Sequence, residues 1–221
     1  MNVSLGNSTP NPIEEIYKAY RLCYSSGAQE DIIIPKIETK IGNVPDLEKM
    51  INFIKPIMAE GHVSPLEHVS FTFYIEGISR ACSHQLVRHR TGKYSQQSQR
   101  YVNANNFEFV TPITIQENQQ ALDVYRRVLN TCQIGYNKLI ELGIPKEDAR
   151  FLLPNATTTN VTFTIDLHNF RHFLALRTCV RAQAEIRNLA YKMLYLVKKE
   201  VPFVDYKYKN CGIICHKCKE V

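Results

Sequence analysis

Residues 88–100 read Arg88-His89-Arg90-Thr91-Gly92-Lys93-Tyr94-Ser95-Gln96-Gln97-Ser98-Gln99-Arg100. They hold four cations, one imidazole and seven hydroxyl or amide side chains, and no Leu, Ile, Val, Phe or Met interrupts them. Burying such a stretch without partners would cost on the order of several kcal/mol per group, so it is not a core element. A solvated face would mix in acidic residues, and this one has none. An anionic partner suits it better, because guanidinium forks bind phosphate or carboxylate in pairs while hydroxyls and amides add short-range donors. On composition alone a basic surface loop remains an equal reading.

The flanks anchor the stretch. Residues 68–76 alternate, with Val69, Phe71, Phe73 and Ile75 against Ser70, Thr72, Tyr74 and Glu76, which is the pattern of a half-buried strand. Gly77 breaks the pattern, and residues 78–87 read as a short helix burying Ile78, Cys82 and Leu86, with Ala81, Gln85 and Arg88 on a second stripe. The cationic segment thus begins at a helix end. A second strand is expected at 157–165, where Val161, Phe163 and Ile165 alternate with Thr162 and Thr164.

Helices fill the remainder. Asn11 as cap and Pro12 at the first helical position open one with Ile13, Ile16, Tyr17, Tyr20 and Tyr24 on a face. Another starts near Pro45-Asp46, is kinked or ended by Pro56, and closes at Gly61. A long helix over 116–142 carries the stripe Ala121, Tyr125, Val128, Cys132, Tyr136, Leu139, which is ordinary core or interface. Asp166 can cap a helix with Phe170, Phe173 and Leu174 inward, and a last helix spans 180–200. Residues 1–10 carry no pattern; 101–102 and 107–110 look like strand pieces. The expectation is one α+β domain over 1–221, a small antiparallel sheet packed with several long helices.

The chain of 221 residues is 44% hydrophobic and 22% charged, with a net charge of +6, which suits handling of anionic nucleotides. It has no apolar run long enough to span a membrane and no signal-peptide core, so a cytoplasmic location without membrane contact is expected. Cys23, Cys82, Cys132 and Cys179 are isolated in sequence and read as reduced thiols.

Arg88-His89-Arg90, seven residues, then Ser98 resembles the signature of the flavin-dependent thymidylate synthases. Supporting matches are His62-x-Ser64-x-x-Glu67-His68, Arg150-x-x-Leu153-Pro154, Leu176-Arg177 and Gln183-x-Glu185-Ile186-Arg187. The resemblance implies that family's α+β fold and reductive methylation of dUMP to dTMP, for thymidylate biosynthesis. It implies FAD as cofactor, with 5,10-methylenetetrahydrofolate and NADPH as co-substrates, and homotetramers with active sites between subunits. By the same resemblance dUMP is bound by Gln85, Arg88, Gln96, Gln97, Ser98, Gln99, Arg100, Arg150 and Arg177, with Arg177 catalytic. FAD falls to His62, Ser64, Arg88, His89, Arg90, Gln96, Asp166, His168 and His172. Gln96 stands where a Glu is common, so a role needing negative charge is not supplied there.

Other chemistries fare worse. No Gly-x-Gly-x-x-Gly or phosphate loop exists, so any flavin phosphates must be held by side chains. His168 and His172 lie one turn apart, yet Asn169 stands where a zinc-protease helix carries Glu, and no metal is assigned. The tail, Cys211-x-x-x-Cys215-His216-x-Cys218, lies outside the resemblance; the adjacency of His216 to Cys215 suits shared zinc poorly. A single-stranded nucleic-acid binder using Tyr94 and Tyr101 stays open as a different class, with no stacking platform evident.

Overall fold

The structure is a computed structural model that describes residues 1–102 and 104–205, so the cysteine-rich tail lies outside the described residues. Strands β1 (Asn2–Ser8), β4 (Ser70–Ser79), β6 (Thr158–Asp166) and β5 (Lys93–Gln96) form one antiparallel sheet in the order β1-β4-β6-β5. A separate hairpin pairs β2 (Lys36–Thr39) with β3 (Gly42–Pro45). The helices are α1 (Pro12–Leu22), α2 (Leu47–Ala59), α3 (Arg80–Leu86), α4 (Ile113–Gln116), α5 (Gln119–Glu141), α6 (Lys146–Ala149), α7 (Leu167–Arg177) and α8 (Ala184–Glu200).

The two strands legible from alternation are the centre of the sheet. Phe71, Phe73 and Ile75 of β4 and Val161, Phe163 and Ile165 of β6 are buried together. α7 covers them, with Phe170 lying 5.6 Å from Phe73 and Phe173 6.1 Å from Phe163 between ring centres. Each such ring stabilises the fold by roughly 1.5–3 kcal/mol through burial. α8 adds Ile186, Leu189, Met193 and Val197, as its periodicity requires. Asp166 caps α7 as expected, accepting from the Asn169 backbone N–H at 2.9 Å.

Several expectations are corrected. β4 runs through Gly77, which adopts φ +68 at a bulge between Ile75 and Ile78 and donates its N–H to Asn160 Oδ1 at 3.1 Å. Ile78 therefore belongs to the strand, which runs on to Ser79, and the helix starts at Arg80 with Ser79 as its cap. Asn11 makes no side-chain cap; it takes a left-handed turn, φ 48, and offers its carbonyl to Glu15. Residues 1–10, read as patternless, supply edge strand β1, whose weak alternation becomes a strand because β4 offers it an open edge. The 101–102 segment is a turn, and near 107–110 only an isolated bridge joins Phe109 to Thr157. The polar stretch itself contains β5, whose Tyr94 stacks on Phe163 at 4.8 Å. Cys23, Cys82 and Cys132 are free thiols, whereas Cys179 is disulfide-bonded; sequence isolation could not reveal which cysteines the fold brings together.

Candidate active site

Arg177, the last residue of α7, reaches the end of α3. Its Nε–H donates to His89 Nε2 at 2.9 Å, Nη2 donates to the Gln85 carbonyl at 3.1 Å, and Nη1 reaches Gln85 Oε1 at 3.5 Å. Burial lowers the Arg177 pKa, but arginine starts so high that it stays charged. His89 is 8% exposed, and its ring packs edge-on against Phe173 at 4.9 Å. Burial first, then the charge of Arg177, pushes its pKa down to about 4, so it is a neutral imidazole. The flanking Arg88 and Arg90 are exposed. The Arg-His-Arg triplet is thus split, the imidazole turned inward and the two cations outward.

α3 is held at its other end. Ser79 Oγ accepts the Cys82 N–H at 3.0 Å, while the Ser79 N–H and Oγ–H donate to the Glu185 carboxylate of α8 at 2.7 and 2.6 Å. Cys82 lies buried on this helix, and burial followed by the Glu185 charge pushes its thiol pKa far up. A thiolate is disfavoured there. Glu185 belonged to a quoted motif, but nothing in sequence pointed to its bond with Ser79, 106 residues away.

The second half of the signature follows the sheet edge. Gln96 Nε2 donates to Ser83 Oγ at 2.9 Å and to Thr159 Oγ1 at 3.3 Å, which ties β5 to α3 and β6. Gln97, Ser98 and Gln99 line a cavity of about 610 Å³ whose other walls include Thr157, Thr158, Thr159 and Asn160. Arg100 then turns to α6, where its Nε and Nη2 both donate to Glu147 Oε2, at 2.8 and 2.7 Å. Arg150 donates its Nε–H to the Glu147 carbonyl at 3.0 Å. Arg80, not singled out in sequence, joins this group: after burial, the charge of Arg150 is the next cause lowering its pKa. Arg100 and Arg150 thus meet at Glu147, one on its carboxylate and the other on its backbone carbonyl, with Arg80 near enough to feel the charge of Arg150, an arrangement suited to an anion.

Farther along lies the His62 cleft of about 390 Å³, lined by Tyr20, Tyr24, Ser64 and Glu67 among others. His62 Nδ1 is 2.8 Å from Tyr24 Oη, the two rings are stacked, and Tyr20 donates its hydroxyl to the His62 carbonyl. Burial raises the Tyr20 pKa to about 12. Tyr24, expected on a buried face of α1, is exposed beside His62 instead. Asp166 caps α7, and His168 and His172 sit on it, His168 half-buried and His172 exposed. Among the described residues no cluster of three or more His, Cys, Asp or Glu could hold a metal ion, and no helix is long and apolar enough to cross a membrane.

The predicted site residues therefore fall into distinct groups. Gln85, His89 and Arg177 are bonded together; Gln97, Ser98 and Gln99 share a cavity; Arg100 and Arg150 meet through Glu147; His62 and Ser64 share a cleft. Arg88 and Arg90 point to solvent near the first group.

Comparison with known proteins adds the following. The family model described as thymidylate synthase complementing protein matches residues 4–203. A flavin-dependent thymidylate synthase of Geobacter sulfurreducens is 41% identical over 222 residues, covering 100% of this chain and 91% of the relative. Proteins of the same name from Clostridium tetani and Pyrococcus horikoshii are 37% and 41% identical, covering 100% and 90% of this chain and 91% and 80% of their own lengths. Among solved structures, the UMP/dUMP methylase PolB of Streptomyces cacaoi bound with 5-Br dUMP superposes with a TM-score of 0.76, at 24% identity over 94% of this chain and 93% of that one. At that identity the likeness establishes the fold.

Proposed function

Because this chain belongs to the flavin-dependent thymidylate synthase family, we propose that it methylates dUMP reductively to dTMP, with 5,10-methylenetetrahydrofolate as carbon donor, FAD as redox carrier and NADPH as reductant. The observation that carries the reading is the Gln85–His89–Arg177 cluster. For the methylene carbon to join pyrimidine C5, negative charge must build on the ring's N3 and carbonyl edge. One way to generate it is a thiolate adding at C6, but Cys82, on the helix that carries Gln85, is buried and held as a thiol. The other is a fixed positive fork, which Arg177 supplies.

Around this group, Gln85, Gln97, Ser98 and Gln99 offer donors and acceptors for the base and sugar, and Arg88, Arg100 and Arg150 offer charge for the phosphate. Gln96 is already bonded to two hydroxyls, so its part is to hold β5 against α3. The donor set fits FAD. Arg88 and Arg90 suit its diphosphate, the stacked Tyr24–His62 pair with Ser64 suits a flat ring, and Asp166 at the cap of α7 with His168 and His172 on that helix add further polar groups. When bound, FAD supplies the hydride chemistry that completes the methyl group. Everything else falls to the chain's own side chains: holding dUMP, stabilising ring charge and excluding water. The dispersal of these residues over distinct groups supports active sites completed between subunits of a homotetramer. So does the apolar face of α5, where Val124 and Val128 are each 52% exposed. The substrates are soluble metabolites, which suits a cytoplasmic enzyme without membrane contact.

The nucleic-acid reading loses one of its two rings, since Tyr94 is stacked inward on Phe163 and bonded through its hydroxyl to Leu86 and His89. The test is direct. The purified protein should show flavin absorbance and form dTMP from dUMP only when methylenetetrahydrofolate and NADPH are both supplied. Colourless protein that forms no dTMP when FAD is added would sink the proposal; dTMP formed equally well with another reductant would remove only NADPH.

A further inference from the structure

We propose that His89 is a positioning residue for Arg177: its neutral imidazole accepts the Arg177 Nε–H and fixes how the guanidinium is turned toward the pyrimidine. The proposal rests on the functional reading above and assigns His89 this task in place of the flavin contact that the family resemblance implies. Arginine has five N–H donors. In this structure the Nε–H goes to His89 and each terminal nitrogen spends one N–H on Gln85, which leaves one on each terminal nitrogen for a ligand. Only an acceptor can hold the Nε–H. A carboxylate there would also cancel part of the charge that the chemistry needs, and a protonated imidazole could not accept at all. A buried neutral histidine meets both conditions, and desolvation together with the neighbouring Arg177 keeps it neutral.

The ring has little freedom to drift. The His89 N–H donates to the Leu86 carbonyl at 3.2 Å, and the His89 carbonyl accepts from Gly92 N–H at 3.0 Å and from Tyr94 Oη at 2.7 Å. Phe173, one turn before Arg177 on α7, packs against the imidazole, so the same helix carries the arginine and one wall of its support. The tautomer follows from the bond: Nε2 carries the lone pair, and Nδ1 carries the proton.

The test compares wild-type enzyme with His89→Gln, His89→Leu, Arg177→Lys and the double variant His89→Leu/Arg177→Lys. It reads flavin per subunit by absorbance, dUMP affinity by calorimetry, and kcat and KM for dTMP formation. In His89→Leu, flavin should stay within about twofold while kcat falls roughly tenfold to a hundredfold, the scale expected when a reacting group is misplaced by about 1 Å. His89→Gln can place an amide oxygen near the Nε2 position and should recover most of the loss. In the Arg177→Lys background, which lacks the Nε–H, adding His89→Leu should cost less than about threefold, because contacting residues couple non-additively. Equal losses in both backgrounds would overturn the proposal. So would loss of flavin with unchanged kcat per bound flavin, which marks a direct cofactor ligand. If His89→Leu does not fold, His89→Asn, too short to reach Arg177, replaces it and should show the same coupling. Wild-type enzyme forming no dTMP would overturn the functional reading first, and the proposal with it.

Discussion

Arg177 and Arg150 are both proposed to bind the same nucleotide, yet the fold prepares them differently. Arg177 is locked by His89 and Gln85 in a half-buried corner between α3 and α7. Arg150 belongs to a group on α6 and the turn after it, where Arg100 and its partner Glu147 are each about half exposed. A fork held rigid away from water can stabilise charge that appears only in the transition state. Arg150, held by one bond to a backbone carbonyl beside that exposed ion pair, can attract an anion and reorganise to meet it, and its pull is screened by salt. The difference teaches which arginine should govern kcat and which KM.

The largest effect expected is at Arg177. Arg177→Ala should lower dTMP formation at saturating dUMP by about a hundredfold to a thousandfold, the loss seen when one preorganised donor is removed. Flavin content and NADPH oxidation should stay largely intact. Near-normal turnover once dUMP is raised would reduce Arg177 to a binding residue and erase the contrast.

Acid should next distinguish the two regions. The unfolded chain takes a proton on His89 near pH 6.5, and the folded one near pH 4. Between those values the unfolded state binds more protons, so this contribution to stability is complete above about pH 6.5 and is lost as pH falls toward 4, by roughly 2–3 kcal/mol. Urea unfolding from pH 7 to 4 should therefore show a steeper decline for the wild type than for His89→Gln. Parallel declines would mean that His89 is not held neutral.

Arg150→Ala should act mainly on affinity. Losing one charge-assisted contact to phosphate costs about 1.5–3 kcal/mol at most, so KM for dUMP should rise roughly tenfold with kcat within a few-fold. Raising salt should mimic part of that rise. A kcat loss as large as that of Arg177→Ala would show that both groups are equally preorganised. The smallest effect belongs to Glu147→Gln, which breaks an exposed ion pair with Arg100 and should change stability by no more than about 1 kcal/mol in thermal unfolding. A larger loss would mark the α6 group as structural.

Much of the fold was legible because its signals are local. The alternation in β4 and β6, the Asp166 cap and the stripe of α8 need only neighbouring residues and a nearby apolar core. The same logic misleads on α5. Its stripe is as regular as that of α8, yet of the residues that compose it only Tyr136 is fully buried, along with neighbouring Leu129. Periodicity reports that a face is apolar and leaves open what covers it. Edge strands β1 and β5 were missed for a related reason: the open edges of β4 and β6 offer backbone groups that weak or polar strands can satisfy.

By itself, then, the sequence determined the family, through the triplet and spacing of residues 88–98, and the α+β framework, through short-range hydrophobic period. Tertiary structure alone decided the orientation of that triplet. Arg88 and Arg90 face outward and His89 inward because Phe173 and Arg177 pack against the imidazole from α7. His89 and Arg177 are 88 residues apart, and a hydrogen bond between them exists only once the sheet has set α3 beside α7. The chemistry was written as residue types; its direction came from packing, which neighbouring residues alone do not encode.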